Sequence, residues 1–328
     1  MIVITAPTGN IGHQVLLTLL GETPNTPATP GASGTPATSA TSATPATSAT
    51  PDTFAHGEKL RVVLRDPARL PEALRERVDV VPGSHRDPEV VDRAFAGADA
   101  VLWIVPPNPQ MPTLDDPYTG FTRAAARALT AHGVGHVVGV SALGRGTPVA
   151  GRAGFVTASL AMDDLLASTG AAYRALACTS FMDNLLRQVE QIRDRGVFTG
   201  TLAPDLRAPA ACTRDIAAVA ARLLSDRSWT GTDEVPVLGP EDLSPNDMAR
   251  VLSEVLDRPV RYERQSYDDL AAALTGYGAG PAYVQGMVDM MRAKDEGLDE
   301  GARRTDAGVS PTTFRTWCEQ VLRPAVTG

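Results

Sequence analysis

Met1-Ile2-Val3-Ile4-Thr5-Ala6-Pro7-Thr8-Gly9-Asn10-Ile11-Gly12 opens the chain, and its reading decides the fold. Met1 to Thr5 is a short apolar run that stops at a loop, as a buried parallel strand does. Ile11 to Leu20 follows as a helix, with Ile11, Val15, Leu16, Leu19 and Leu20 forming an apolar stripe. A strand, a glycine-bearing turn and a helix in that order make an anion site. Backbone N–H groups point into the turn, and the helix dipole favours negative charge there. Gly9 allows close approach of the backbone to a pyrophosphate, and Gly12 allows close packing of helix on strand. A glycine pair alone fits a plain turn equally well. Its place at the head of a βαβ series is what points to a dinucleotide.

Working outward, Gly21 to His56 breaks the pattern with near-repeats of Thr, Pro, Ala and Ser, such as TPATSATSATPATSATP. A segment without large apolar residues cannot offset its ordering entropy, so 21–56 is expected to be a disordered insert. Only about 20 residues precede it, too few for a domain. It therefore sits between the first helix and the second strand, at the sheet edge away from the ligand crevice. A long loop there costs little, because closure entropy grows slowly with length.

Strand and helix then alternate. Strands are expected at Leu60 to Leu64, Val78 to Val81, Ala100 to Val105, His136 to Val140 and Ala172 to Leu176. Helices are expected at Pro67 to Arg75, Pro88 to Phe95, Tyr118 to His132 and Phe155 to Ser168. This alternation predicts an α/β fold, a doubly wound parallel Rossmann-type sheet with right-handed crossovers. A less regular remainder holds a helix at Arg214 to Leu224 with Thr213 as its cap and a strand at Val235 to Leu238. It also holds a helix from the Ser244 cap and Pro245 through Leu256, and a final amphipathic helix at Pro311 to Leu322. The expected division is a nucleotide-binding domain over 1–177 and a smaller C-terminal α/β substrate lobe over 178–328, with about 208–238 returning to the main sheet.

The 328 residues carry a formal charge of −8 and are 43% hydrophobic. That balance argues against nucleic acid and against an anionic membrane surface as partners. Cys178, Cys212 and Cys318 are scattered and odd in number, and the five histidines show no ligand spacing, so neither a disulfide framework nor a metal site is expected. No signal peptide is visible ahead of the glycine turn, which gives a cytoplasmic expectation. Lys59 and Lys294 are the only lysines, which leaves few candidates for a catalytic lysine.

Val63-Leu64-Arg65-Asp66-Pro67 ends the second strand, where the adenosine ribose of a dinucleotide lies. An acid there binds the ribose hydroxyls of NAD(H), whereas arginine accommodates the 2′-phosphate of NADP(H). Without the insert, Arg65 falls about 20 residues after the glycines, so NADP(H) is the favoured cofactor and NAD(H) the alternative. In the opposing reading Arg65 is merely exposed and Asp66 starts the next helix.

Together these residues resemble the NmrA-like branch of the atypical short-chain dehydrogenase/reductase superfamily, over nearly the whole chain except the insert. The family loop G-x-x-G-x-x-G appears with Ala6 in its first place, followed by Gly9 and Gly12. The family's Val-Arg-Asp-Pro appears as Leu64-Arg65-Asp66-Pro67, and its Phe-Met-Glu-Asn-Leu as Phe181-Met182-Asp183-Asn184-Leu185. The resemblance implies a cofactor loop of Ala6, Thr8, Gly9, Asn10, Ile11 and Gly12, with Thr8, Asn10 and Ile11 lining the pyrophosphate. It puts Arg65 on the 2′-phosphate, Val105, Pro106 and Pro107 beside the adenosine and ribose, and Ser141 near the nicotinamide. Phe181 and Asn184 fall at the mouth of the substrate crevice. Relatives often carry aspartate at the Ser84 position in Gly83-Ser84-His85-Arg86-Asp87, so a carboxylate contact to adenine is not expected here.

Short-chain dehydrogenases typically use a Tyr-x-x-x-Lys pair on the helix after strand five, the tyrosine moving the proton and the lysine lowering its pKa. Here those positions fall at Phe155 and Ser159, which can do neither. Alcohol–ketone chemistry by that pair is therefore not expected. Hydride transfer to a quinone or other conjugated acceptor tolerates the loss, because the cofactor carries the hard chemistry. Ser141 and Tyr118 are the candidate catalytic residues, with His85 a weaker proton donor. Their plainer readings are a ribose contact, a packing residue and a surface loop. Asp163 and Asp164 read as a solvated helix face, Cys178 as a small buried residue, and Met287, Met290 and Met291 as core or crevice wall. The functional reading leans to an enzyme, an NADP(H)-dependent oxidoreductase. The alternative is a non-catalytic NADP(H) redox-sensing regulator, and a non-redox tailoring enzyme is a third reading. A small-molecule substrate and a homodimer complete the expectations.

Overall fold

Ile2–Thr5 (β1) is buried at every position, and so is Ala100–Trp103 (β4). Strands apolar on both faces belong in the middle of a parallel sheet covered on two sides. The structure, a computed structural model, describes residues 1–22, 57–300 and 302–328. Residues 23–56 of the Thr/Pro/Ala insert lie outside the described residues. The other strands are β2 (Leu60–Leu64), β3 (Asp79–Pro82), β5 (His136–Ala142), β6 (Ala172–Cys178), β7 (Ser180–Phe181), β8 (Val197–Gly200), β9 (Ala208–Ala211), β10 (Thr232–Val237), β11 (Asp242–Leu243) and β12 (Arg261–Arg264). Together with β1 and β4, five of these form a seven-stranded sheet in the order β10-β6-β5-β4-β1-β2-β3. Every pairing in it is parallel. The order reverses between β1 and β4, and such a switch point opens a crevice beyond the strands' carboxyl ends.

Helices α1 (Asn10–Leu19), α2 (Glu72–Arg75), α3 (Pro88–Phe95), α4 (Phe121–His132), α5 (Phe155–Ala167), α6 (Val189–Arg195), α7 (Thr213–Ser225), α8 (Pro245–Leu256), α9 (Tyr267–Gly276) and α10 (Pro281–Asp295) surround the sheets. One face of the main sheet packs on α1 and α7 through Ile4, Val15, Leu16, Ile216 and Leu224. The other packs on α3, α4 and α5 through Val3, Trp103, Phe95, Leu129 and Met162. A separate core of Ile192, Phe198, Leu252, Phe314, Trp317 and Leu322 holds the C-terminal part. There β11-β9-β7 and β12-β8 form two small sheets.

Differences from the expected elements have local causes. β4 stops at Trp103, not Val105. The Ile104 N–H leaves the ladder for Thr5 Oγ1 at 2.9 Å, and Pro106 and Pro107 have no N–H to offer. The helix expected over Pro67 to Arg75 is split. Leu70 is extended at φ −94°, ψ 127°, as the residue before Pro71 prefers. Thr213 is not a cap. Cys212 takes that place, and Asp183 accepts hydrogen bonds from Thr213 N at 2.9 Å and Thr213 Oγ1 at 2.8 Å. The last helix starts at Phe314, capped by Thr313, and passes through a π-turn at Cys318–Leu322. Ser244 does cap α8, in a reciprocal capping box with Asp247. Among the described residues no helix is long and apolar enough to cross a membrane.

Candidate functional site

The loop after β1 is held by its own backbone. Gly9 N donates to Ala6 O at 3.0 Å, and His13 N to Gly9 O at 2.9 Å. Ala6 stands at φ 50°, in the left-handed region that glycine favours. A Cβ on Gly12 would lie 2.3 Å from Ala6 O, so only glycine lets α1 start this close to the strand. Gly9 is the N-cap residue of α1 with no side-chain cap, and the first turn holds no acid. The opening amides of α1 therefore have no competing carboxylate, which is what an anion needs. Thr8 is half-buried, Gly9 and Asn10 are exposed, and Ile11 is buried under them.

Arg65 follows β2 directly and is exposed, with no ion pair among the described residues. Asp66 is exposed as well and caps the turn that follows, accepting from Ala68 N at 3.0 Å, so that part of the opposing reading holds. Val105 and Pro106 are half-buried and Pro107 is exposed in the segment that leaves β4. His85 is not a surface residue. It is 7% exposed, edge-on to Trp103 and Phe121, with Nε2 3.0 Å from Ile104 O. The carbonyl accepts, so Nε2 carries the proton. Burial, with the nearby Arg65 charge adding to it, brings the His85 pKa down to about 4.

Ser141 lies one residue from the C-terminal end of β5 and is buried. Its hydroxyl donates to Asp163 Oδ2 and sits 3.1 Å from Ser159 Oγ. Tyr173 donates its hydroxyl to Asp163 Oδ1 at 2.6 Å. Asp163 is thus 2% exposed and lies on no solvated face, whereas the adjacent Asp164 side chain is exposed. Burial pushes the Asp163 carboxyl up to about 6, against the pull of Ser141, Tyr173 and Arg145. Gly139 makes the arrangement fit, since a Cβ there would stand 2.3 Å from the Tyr173 hydroxyl. The network was legible in part. Ser159, Asp163 and Leu166 are spaced four and three apart on α5, so they share the buried face that Asp164 leaves. A glycine inside β5 also marks a close approach.

Residues from both halves of the chain meet around the start of α5. Phe155 opens α5 and meets Tyr283 of α10 edge-on at 5.1 Å. Gly280 N donates to Pro109 O at 2.8 Å, and Gly286 packs against Leu114 and Phe155. Tyr118 lies in the π-turn before α4, its hydroxyl pushed up to about 12 by burial and by Tyr283. Phe181 packs on the core beside Cys178 and Ala211, and Asn184 is exposed on the turn that follows. Burial raises the Cys178 thiol far above its usual range, so it is inert. Of the three methionines, Met290 packs on the core between α5 and α10.

A parallel seven-stranded sheet with this loop at its switch point matches a family model described as NAD(P)H-binding over residues 46–227. The chain belongs to that NAD(P)H-binding family, within the NmrA-like and atypical short-chain dehydrogenase/reductase group. The match begins after the glycine loop, which the structure nevertheless places in its Rossmann position. A (4-alkanoyl-5-oxo-2,5-dihydrofuran-3-yl)methyl phosphate reductase of Streptomyces griseus is 34% identical over 264 residues, 79% of this chain and 84% of that protein. An NAD(P)H azoreductase of Xenophilus azovorans is 26% identical over 79% of this chain and 87% of that protein. The crystal structure of an NADPH-dependent quinone oxidoreductase from Escherichia coli shares the fold at TM-score 0.67 and 22% identity, covering 96% of this chain and 98% of that one. NAD(P)H is therefore the cofactor class of this family, and the uncapped α1 terminus and exposed Arg65 fit it.

Proposed function

We propose that this protein is an NADPH-dependent reductase delivering hydride to a quinone, an enone or a similar conjugated small molecule. One observation carries the cofactor choice. Arg65 is an exposed guanidinium at the end of β2 with no ion pair among the described residues, while Asp66 accepts from the turn that follows, and a free positive charge there supports the 2′-phosphate. Ala6, Thr8, Gly9, Asn10, Ile11 and Gly12 would hold the pyrophosphate through the loop backbone. Val105, Pro106 and Pro107 would flank the adenosine. Ser141 would face the nicotinamide, and Phe181 and Asn184 the crevice mouth. The bound cofactor supplies the hydride.

The composition of α5 and the named activities of the relatives support the acceptor class. Phe155 and Ser159 can neither donate a phenolic proton nor depress one. Three similar proteins reduce a conjugated butenolide, an azo compound and a quinone by their names, which supports acceptors that take hydride readily. Phe155, Tyr283 and Leu114 offer such a ring an apolar wall that excludes water. NADPH oxidation across a panel of quinones, enones and azo dyes tests this. Turnover with some of them is the expected result. Tight binding of NADPH over NADP⁺ with no turnover anywhere would move the weight to a redox-sensing role.

A further inference from the structure

Asp163 is a buried acid whose nearest partners are neutral hydroxyls. Ser141 on β5 and Tyr173 on β6 both donate to it, and Ser159 lies one helical turn back on α5. The cation that faces it, Arg145 in the loop after β5, stands 3.9 Å away and is shared with Asp164 and Glu234. Glu234 on β10 and the Cys178 thiol at the end of β6 complete the titratable groups around it. A core that needed only filling would be cheaper with apolar side chains, because an isolated carboxylate is costly to bury. A buried acid beside a crevice is instead a common device for holding a proton.

We infer that Asp163 is a positioning residue for the reduction, holding the Ser141 hydroxyl and resupplying it with the proton that the reduced acceptor takes up. The inference rests on the reading of this crevice as a hydride-transfer site. Ser141 lies at the carboxyl end of β5, where ligands of such sheets bind, with one side of its hydroxyl on Asp163 and Ser159. In its acid form the Asp163 carboxyl donates to Ser141 Oγ, and Ser141 donates outward. As hydride reaches the acceptor, the Ser141 O–H bond breaks toward the acceptor oxygen and re-forms with the Asp163 proton. The acceptor gains this proton together with one hydride, which bound NADPH would supply. Asp163 is left a carboxylate, steadied by Tyr173 and Arg145. Arg145 is 39% exposed, so water at that end returns the proton. The relay stands in for a tyrosine and lysine that α5 lacks.

The test has two arms. In the first, infrared difference spectra across pH are taken on the protein without nucleotide. They are expected to show a buried carboxylic acid titrating near pH 6 that vanishes in Asp163→Asn and shifts in Tyr173→Phe. In the second, turnover of NADPH with menadione is followed across pH. Wild-type kcat is expected to fall as pH rises through that same transition. Asp163→Asn and Ser141→Ala are expected to lose kcat on the order of 100-fold and to lose the break. Asp163→Glu is expected to restore it, and NADPH affinity is expected to stay unchanged in both Asp163 variants. Absence of an Asp163-dependent acid band overturns the relay without reference to any substrate. Wild-type turnover matched in rate and pH profile by Asp163→Asn overturns the relay alone. Failure of the wild type to bind NADPH overturns the functional reading beneath it.

Discussion

Ala6 carries a Cβ at φ 50°, a conformation that costs an L-residue about 1–2 kcal/mol. Its carbonyl accepts the Gly9 amide and blocks any Cβ on Gly12, so the strain sits at the hinge of the loop after β1. Ala6→Gly is expected to raise stability by about 1 kcal/mol in urea unfolding and to keep NADPH binding, since glycine occupies this region freely. A destabilised Ala6→Gly would mean that the loop is held some other way. Gly12→Ala is expected to do the opposite and weaken both fold and binding. The sequence alone shows that alanine replaces the family's first glycine. It does not show that the backbone still turns left-handed there, because φ depends on packing around the loop. His85 was misread for a related reason. A histidine between Ser84 and Arg86 looks exposed, and only the approach of Trp103 and Phe121 from two other elements buries it.

The helices and strands that build the site were legible wherever one period dominates. Pro88–Phe95 and Leu60–Leu64 fall on their expected bounds. Prolines and side-chain hydrogen bonds account for the errors at Leu70 and Ile104. Asp163 was lost among solvated charges because two adjacent acids look alike in one dimension, although only one lies in phase with Leu166. The docking of α10 was harder still, since it shows no clean apolar stripe. It docks by backbone approach. Gly154 stands at φ 54°, and a Cβ on it would lie 2.1 Å from Gly286 O. Gly154→Ala must therefore push α10 away from α5 and part Phe155 from Tyr283. The expected outcome is a loss of about 2–4 kcal/mol in stability, with KM for the acceptor raised more than the Kd for NADPH. Equal effects on both would place α10 outside the acceptor site.

At the scale of the whole molecule, two buried groups titrate in opposite senses. His85 is lowered from an ordinary 6.5 to about 4. The unfolded chain binds its proton first, so its contribution is present above pH 6.5 and is lost as pH falls toward 4. Asp163 is raised from 3.8 to about 6. The folded chain binds that proton first, so its burial costs nothing below pH 3.8 and costs about 3 kcal/mol above pH 6. Acidification from 6.5 to 4 therefore removes stability through His85 and restores it through Asp163. Asp163→Asn is expected to fall more steeply than wild type over that interval in unfolding experiments. Parallel curves would mean that Asp163 titrates normally. The central claim, however, concerns the cofactor, and calorimetric titration with NADPH and NADH tests it most directly, on wild type and on Arg65→Gln. The account predicts NADPH binding at least about tenfold tighter than NADH, with that preference lost in Arg65→Gln, as one charge-assisted hydrogen bond of about 1.5–3 kcal/mol would give. Equal affinity for the two nucleotides in the wild type, or no binding of either, would contradict it.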